Sequence, residues 1–301
     1  MLRSPFMDES MPISSALFLL LLAASPVQVD AAPGRPSDPV EACRGWIEGR
    51  AWTSQEDDPQ TRILSPEVAC FDGVVATGSL DVLHGWIDAT GTAAPPVLVV
   101  RSRGGDSEIA LGLAEKLQAR DASVHVVGVC ASACANYFYA GVRDRHVQDA
   151  SLVLFHGGFS DGNRARARAT LEAYLSGPQG GTVPDPEANR QAIRRSLDAL
   201  QAHQDALYRR VEVDPRIVHG FDELDAAALD EPRCGGPSQA PRHFLYFDDA
   251  QMGRLGIAPV SGRTEQDPQR VNASIAALGA GFIACLAPEA EFAGTGPQKE
   301  G

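Results

Sequence analysis

Short runs of apolar, β-rich residues alternate with helical segments through the middle of this sequence. The runs PVLVVRS (96–102), SVHVVGV (123–129) and LVLF (152–155) have the length and composition of buried strands. Between them, residues 106–119 carry apolar side chains at helical spacing, and residues 132–141 are small and aromatic. Because parallel neighbouring strands need crossover helices, this alternation predicts an α/β fold of repeated β-α-β units, with a mainly parallel sheet flanked by helices.

The same patterns extend the predicted domain in both directions. A short strand at 71–76 and a helix at 79–89 precede the alternation. A long amphipathic helix at 186–211, a strand at 244–247 and a helix at 248–255 follow it. The pattern therefore predicts one α/β domain.

Composition sets the boundaries of this domain. Residues 32–67 are polar and Pro-rich, which predicts an irregular N-terminal extension, and the α/β domain is expected to cover 68–260. Within it, residues 161–184 are expected to contain a flexible Gly/Pro loop. In the tail, 261–301, the apolar run 273–287 is too short to span a bilayer and predicts a helix that docks on the core or on another subunit.

The amino terminus has the features of an export signal. Residues 16–24 (ALFLLLLAA) form a short apolar core. The segment Val29-Asp30-Ala31 then has small or β-branched residues at the positions that a signal peptidase reads, which places cleavage after Ala31. Initiation at Met11 would remove two acids and leave a cleaner signal. A helix of the fold is the alternative, and the linker-like stretch that follows disfavours it. We therefore expect residues 1–31 to be a signal peptide and the protein to be periplasmic or secreted.

The cysteines suit an oxidising compartment. Six remain after the expected cleavage, an even number that predicts disulfide bonds among positions 43, 70, 130, 134, 234 and 285. Six cysteines allow 15 pairings, and the sequence does not choose among them. Cys130 and Cys134 lie close together, but no other pair completes a four-ligand zinc site, so no metal and no cofactor are expected. A cysteine nucleophile at either position is the alternative to a disulfide or to simple burial.

The charge of the chain narrows the classes of partner. There are 26 Lys+Arg against 39 Asp+Glu, a formal net charge of -13, which disfavours binding to nucleic acid. Only two lysines occur, Lys116 and Lys299. No motif places either one near a candidate nucleophile, so a Ser/Lys mechanism is not supported.

Three predicted strands end in residues that can do chemistry together. Gly104-Gly105 follows the first strand, Ser132 follows the second, and His156 follows the third. Ligands bind at the carboxyl ends of parallel strands because the loops converge there. A Ser at a strand-to-helix turn can act as a nucleophile, a neighbouring His can take its proton, and glycines let a backbone N–H approach an oxyanion.

These motifs resemble those of a known family. The segments RSRGGD (101–106), CASACA (130–135), GVR (141–143) and LFH (154–156) are similar in order and spacing to the Gly-Gly, Ala-Ser and His motifs of the Clp-protease proteolytic subunit and the wider ClpP/crotonase superfamily. The resemblance covers about residues 68–260. It is closest to the exported, Cys-containing Clp-like proteins of bacteria.

The resemblance implies a role for each matching residue. Ser132 would be the nucleophile and His156 the general base, with the backbone N–H groups of Gly105 and Ala133 as oxyanion donors. One departure is Arg103, which stands where the family has Pro and could narrow or charge the substrate groove.

The acid that would orient the histidine is a second departure. Arg242 occupies the position of the family's aspartate. Asp205 has about the right interval from His156, but it falls in the long predicted helix, where a solvated role is expected. Three further acids lie nearer the expected region without any motif: Asp222, Asp225 and Asp230.

The resulting expectation is an exported serine hydrolase, peptidase-like, that acts on a peptide or another acyl substrate. No ATPase partner is expected outside the cytoplasm, and self-association into a homo-oligomer stays open. The alternative is a catalytically inactive ClpP-like binding or scaffold protein of the cell envelope, which Arg242 favours. A coenzyme-A enzyme of the crotonase type is disfavoured by export.

Overall fold

The computed structural model describes residues 38–52, 59–91, 94–177, 185–222, 224, 229, 232–235, 242–279 and 281–292. The expected signal peptide lies outside these residues.

A six-stranded sheet forms the centre of the described chain. Its strands are β1 (Gln60–Ile63), β2 (Val68–Asp72), β3 (Val97–Ser102), β4 (Ser123–Ala131), β5 (Asp144–Val147) and β6 (Leu152–Leu154). The order is β1-β2-β3-β4-β5, with β6 also beside β4. Only the β1–β2 pair of this sheet is antiparallel. The predicted α/β fold with a mainly parallel sheet is therefore confirmed.

Strand β4 is long enough to pair with two strands in succession. Its first half pairs with β5 and its last three residues pair with β6. Gly128 lies between the two halves at a φ of +72°, and its N–H donates to the Ser151 hydroxyl over 2.9 Å. This break in the register lets β6, and the residues after it, reach the carboxyl end of β4.

Helices cover both faces of the sheet. They are α1 (Pro39–Glu48), α2 (Asp81–Ala89), α3 (Ser107–Ala119), a π-helix (Cys134–Tyr139), α4 (Asp161–Ser176), α5 (Pro186–Val211), α6 (Arg216–His219), a 3₁₀ turn (Pro232–Cys234), α7 (Asp249–Arg254), α8 (Pro268–Ala277) and α9 (Glu289–Phe292). The largest core cluster joins α2, α3, the π-helix and α5 to the sheet, while α1 packs against β2, β3 and β4. Within the described ranges, no helix is both long and apolar enough to cross a bilayer.

A second, two-stranded sheet lies beside β6. Strands β7 (Arg242–Tyr246) and β8 (Ile283–Leu286) are parallel to each other. Phe155 and Leu245 exchange two backbone hydrogen bonds of 2.8 Å, which connects β7 to the residue just after β6. The small sheet is thereby held close to His156.

Three stretches differ from the sequence expectations. The 32–67 extension contains α1 and β1, where Asp38 caps the helix. In the stretch 161–184, expected to contain a Gly/Pro loop, residues 161–176 form α4, because Ser160 caps a segment rich in Ala and Arg, and residues 178–184 lie outside the described residues. The apolar run 273–287 is not one helix: α8 ends at Ala277 and the run finishes as β8, because the Gly279–Gly281 region interrupts it.

All six cysteines form disulfide bonds. The pairs are Cys43–Cys70, Cys130–Cys134 and Cys234–Cys285. Three disulfides indicate an oxidising, exported environment, as expected. Since Cys130 and Cys134 are bonded to each other, neither serves as a thiolate nucleophile in this state.

A fully buried carboxylate joins the sheet to the end of α1. Asp72 accepts hydrogen bonds from Arg101 at 2.8 and 2.9 Å, and from the Nε of Arg50 at 2.7 Å. Removing the carboxylate takes from both arginines their charged partner at a buried position, which is strongly destabilising.

We therefore expect Asp72→Ala to lower the free energy of unfolding by about 3–5 kcal/mol. Asp88→Ala is the matched control, because Asp88 forms an exposed ion pair with Lys116 and should cost at most about 1 kcal/mol. Urea denaturation of the two variants measures both values. Equal losses of unfolding free energy would show that the Asp72 cluster contributes no more to stability than an exposed ion pair.

Candidate active site

The candidate nucleophile lies on a tight turn between a strand and a helix. β4 ends at Ala131, the π-helix begins at Cys134, and Ser132 between them has a φ of +57°. Its N–H donates to the carbonyl of Leu154 over 2.9 Å, so the end of β6 supports the turn. A positive φ is disfavoured for a residue with a Cβ and occurs where the surroundings hold it, often at functional sites.

His156 reaches this turn from the neighbouring strand. Its Nε2 forms a short hydrogen bond with the Ser132 hydroxyl. The backbone carbonyl of His156 accepts a hydrogen bond from the Asn136 amide over 2.9 Å, and the Phe244 ring packs edge-on at 5.2 Å from the imidazole. The structure thus brings together the two side chains that the sequence analysis selected as nucleophile and base.

The two glycines after β3 lie against the same turn. A Cβ on Gly104, which has a φ of +90°, would come within 2.5 Å of the Ser132 Cβ. The Gly104 carbonyl accepts from Val75, and the Val75 carbonyl accepts from Asp106, so this edge of the segment is bonded to Val75. Because the C=O and N–H of one trans peptide point in opposite directions, the N–H of Gly105 points away from Val75.

The N–H of Ala133 occupies the first turn of the helical segment that follows the nucleophile. N–H groups at this position have no acceptor within their own helix. Within the part of the chain that the structure describes, no acceptor is bonded to the N–H of Gly105 or of Ala133. Both groups are therefore available as hydrogen-bond donors, as an oxyanion site requires.

Two of the acids considered as a third catalytic group have other partners in the structure. Asp205 is hydrogen-bonded to His219 at 3.2 Å, a contact that raises the pKa of His219. Asp222 accepts from the Ser160 hydroxyl and from the Gly162 N–H. Asp225 and Asp230 lie outside the described residues. Arg242 begins β7, and its side chain is outside the described part as well.

An apolar groove leads away from the catalytic pair. Its volume is about 430 Å³, and its walls include Gly104 and Gly105 on one side and Phe244 and Phe282 on the other. The two aromatic rings lie 4.6 Å apart. Arg103, which replaces the Pro expected from the resemblance, also lines the groove, and partial burial lowers its pKa. A group bound here would lie beside the oxyanion donors.

Two polar residues that the sequence analysis did not select hold the segment 156–159, which carries His156. Asn136 is buried and binds the carbonyl of His156. Gln204, also buried, bonds to both the N–H and the carbonyl of Phe159 and accepts from the Tyr137 hydroxyl. In the sequence, Asn136 stands out as the one amide within the apolar run CANYFYA. Nothing in the sequence distinguishes Gln204 from the other polar residues of its helix.

The structure also shows the position of Lys116, the lysine considered as an alternative base. Lys116 is paired with Asp88 on the exposed side of α3, at 2.7 Å.

No family model matches the chain, and no curated protein matches it. The function is therefore inferred from the geometry of Ser132, His156 and the two N–H groups.

Proposed function

We propose that the chain is an exported serine hydrolase, peptidase-like, related to the ClpP/crotonase superfamily. The observation that carries the proposal is the hydrogen bond between the Ser132 hydroxyl and His156 Nε2 at the ends of adjacent parallel strands. A nucleophile and a base within hydrogen-bond reach form the minimal apparatus for covalent acyl transfer.

The reaction follows from this arrangement. The Ser132 Oγ attacks the carbonyl carbon of the substrate while His156 takes the hydroxyl proton. The N–H groups of Gly105 and Ala133 donate to the oxyanion. His156 then protonates the leaving amine or alcohol, and a water attacks the acyl-serine with the same imidazole as base.

A fluorophosphonate probe tests the proposal directly. The wild-type protein should become labelled, and mass spectrometry should find the adduct on the peptide that contains Ser132. Ser132→Ala should not react, whereas Ser79→Ala, a serine in the turn before α2, should label like the wild type. A folded wild-type protein that never labels would favour the scaffold alternative.

The apolar groove predicts which substrates are preferred. Phe282→Ala removes an aromatic wall of the groove, so we expect KM for a peptide with Phe or Leu at the residue before the scissile bond to rise about tenfold or more. kcat should change less, because Phe282 does not contact the reacting atoms. The measurement compares the steady-state KM and kcat for this peptide with those for a matching peptide that has Ala at the same position.

Val82→Ala is the control for this substitution, because Val82 is an exposed apolar residue on α2. Its KM should equal that of the wild type. If Phe282→Ala leaves the ratio of the KM values for the two peptides unchanged, the groove does not bind the Phe or Leu side chain of the substrate.

A further inference from the structure

The Cys130–Cys134 disulfide brackets the candidate nucleophile. Cys130 belongs to β4, Cys134 begins the π-helix, and Ser132 lies midway between them. The two Cα atoms are 5.2 Å apart, and both cysteines are fully buried in the core beneath the turn. The bridge therefore closes a small ring of backbone that contains Ser132.

We propose that this disulfide positions the nucleophile, holding the turn so that the Ser132 hydroxyl stays directed at His156. The inference rests on the proposed hydrolase function. Cys130 and Cys134 are positioning residues, because they act through the backbone of Ser132.

The small number of residues in the loop that the Cys130–Cys134 bridge closes distinguishes this positioning role from a general stabilisation of the fold. A cross-link restricts the unfolded chain more strongly as the loop that it closes grows. Cys130 and Cys134 are 4 positions apart, whereas Cys43 and Cys70 are 27 apart. By this argument the Cys130–Cys134 bridge contributes less to global stability than the Cys43–Cys70 bridge, and its main effect is local.

The local effect falls on a turn whose central residue has an unfavourable backbone conformation. Ser132 has a positive φ, a conformation that its Cβ disfavours. Two backbone hydrogen bonds hold the residue, one from its N–H to Leu154 and one from the Asn136 N–H to its carbonyl, at 2.9 and 2.8 Å. Each bond restrains one of the two peptide groups that flank Ser132, and the disulfide joins the strand and the helix from which those peptide groups extend. Because the hydroxyl is on the Cβ, a change of φ would move it away from the imidazole.

The test compares two pairs of substitutions. Cys130→Ala/Cys134→Ala removes the bridge around Ser132, and Cys43→Ala/Cys70→Ala removes a bridge that is also fully buried but joins α1 to β2. Both proteins are assayed with an ester substrate and the fluorophosphonate probe, at a temperature where each is folded by circular dichroism.

We expect opposite patterns in the two pairs. The Cys130/Cys134 variant should lose about tenfold to a hundredfold in kcat and in labelling rate, since a displacement near 1 Å can have an effect of that order. Its KM and the shape of its pH profile should match the wild type, because the groove and the base are unchanged. The Cys43/Cys70 variant should keep its kcat and show the larger fall in Tm.

Each other outcome overturns a defined statement. Wild-type kcat in the Cys130/Cys134 variant would overturn the positioning role, as would an equal loss of kcat in both variants. If the double alanine does not fold, Cys130→Val/Cys134→Ala, which keeps more side-chain volume in β4, replaces it under the same criteria. A wild-type protein that never reacts would instead overturn the hydrolase proposal, and the inference would fall with it.

Discussion

Replacing His156 with alanine should lower turnover on the order of 10²-fold or more, if the chain is the hydrolase proposed here. The imidazole is the group hydrogen-bonded to the Ser132 hydroxyl, so its removal leaves the serine without the base that takes its proton. Steady-state hydrolysis of an activated ester by the folded variant gives the measurement.

Lys116→Ala is the control for this prediction. Lys116 is the alternative base by chemistry, and its exposed ion pair with Asp88 places it on the outer side of α3. The substitution should leave turnover within a few-fold of the wild type. Unchanged turnover in a folded His156→Ala protein would reject the Ser/His mechanism and favour a binding or scaffold role.

Replacing Gly105 with alanine should have an effect of similar size on the other half of the site. Gly105 has a φ of +138°, and a Cβ there would lie 2.0 Å from the carbonyl oxygen of Val75. The segment must therefore shift, and its N–H no longer points at the oxyanion. We expect kcat to fall about 10²–10³-fold, the usual effect of losing one oxyanion donor.

Gly112→Ala is the matched control, because nothing lies within 4 Å of a Cβ at that position in α3. It should leave kcat unchanged and raise the free energy of unfolding by about 0.5–1 kcal/mol, since alanine is favoured over glycine inside a helix. Kinetics and thermal unfolding of both variants test the pair. Wild-type kcat in Gly105→Ala would remove the N–H of Gly105 from the mechanism.

The regular elements of the α/β core could be predicted because their side-chain periodicity is local. The runs that became β3, β4 and β6 are mostly apolar, and α3 and α5 show one apolar face. Two of the elements that escaped prediction did so for identifiable reasons. β5 reads Asp-Arg-His-Val, a polar strand with no apolar run, and α4 has no fully buried residue to mark a face.

The candidate site was predictable in part, for a different reason. Ser132, His156 and the glycines follow strands, and the topology of parallel sheets brings such positions together. The groove was not predictable, because Phe244 and Phe282 meet only through the pairing of β7 with β8. The disulfide pairing depends in the same way on contacts between distant parts of the chain.

The position of β8 along the chain has a consequence for the order in which the site is assembled. Ser132 and His156 are synthesised well before Phe282, the residue that completes the groove wall beside them. A chain that ends before β8 contains the candidate catalytic pair but lacks this wall of the groove. The groove is therefore complete only once the chain has reached Phe282, and the Cys234–Cys285 bond then joins β8 to the 3₁₀ turn.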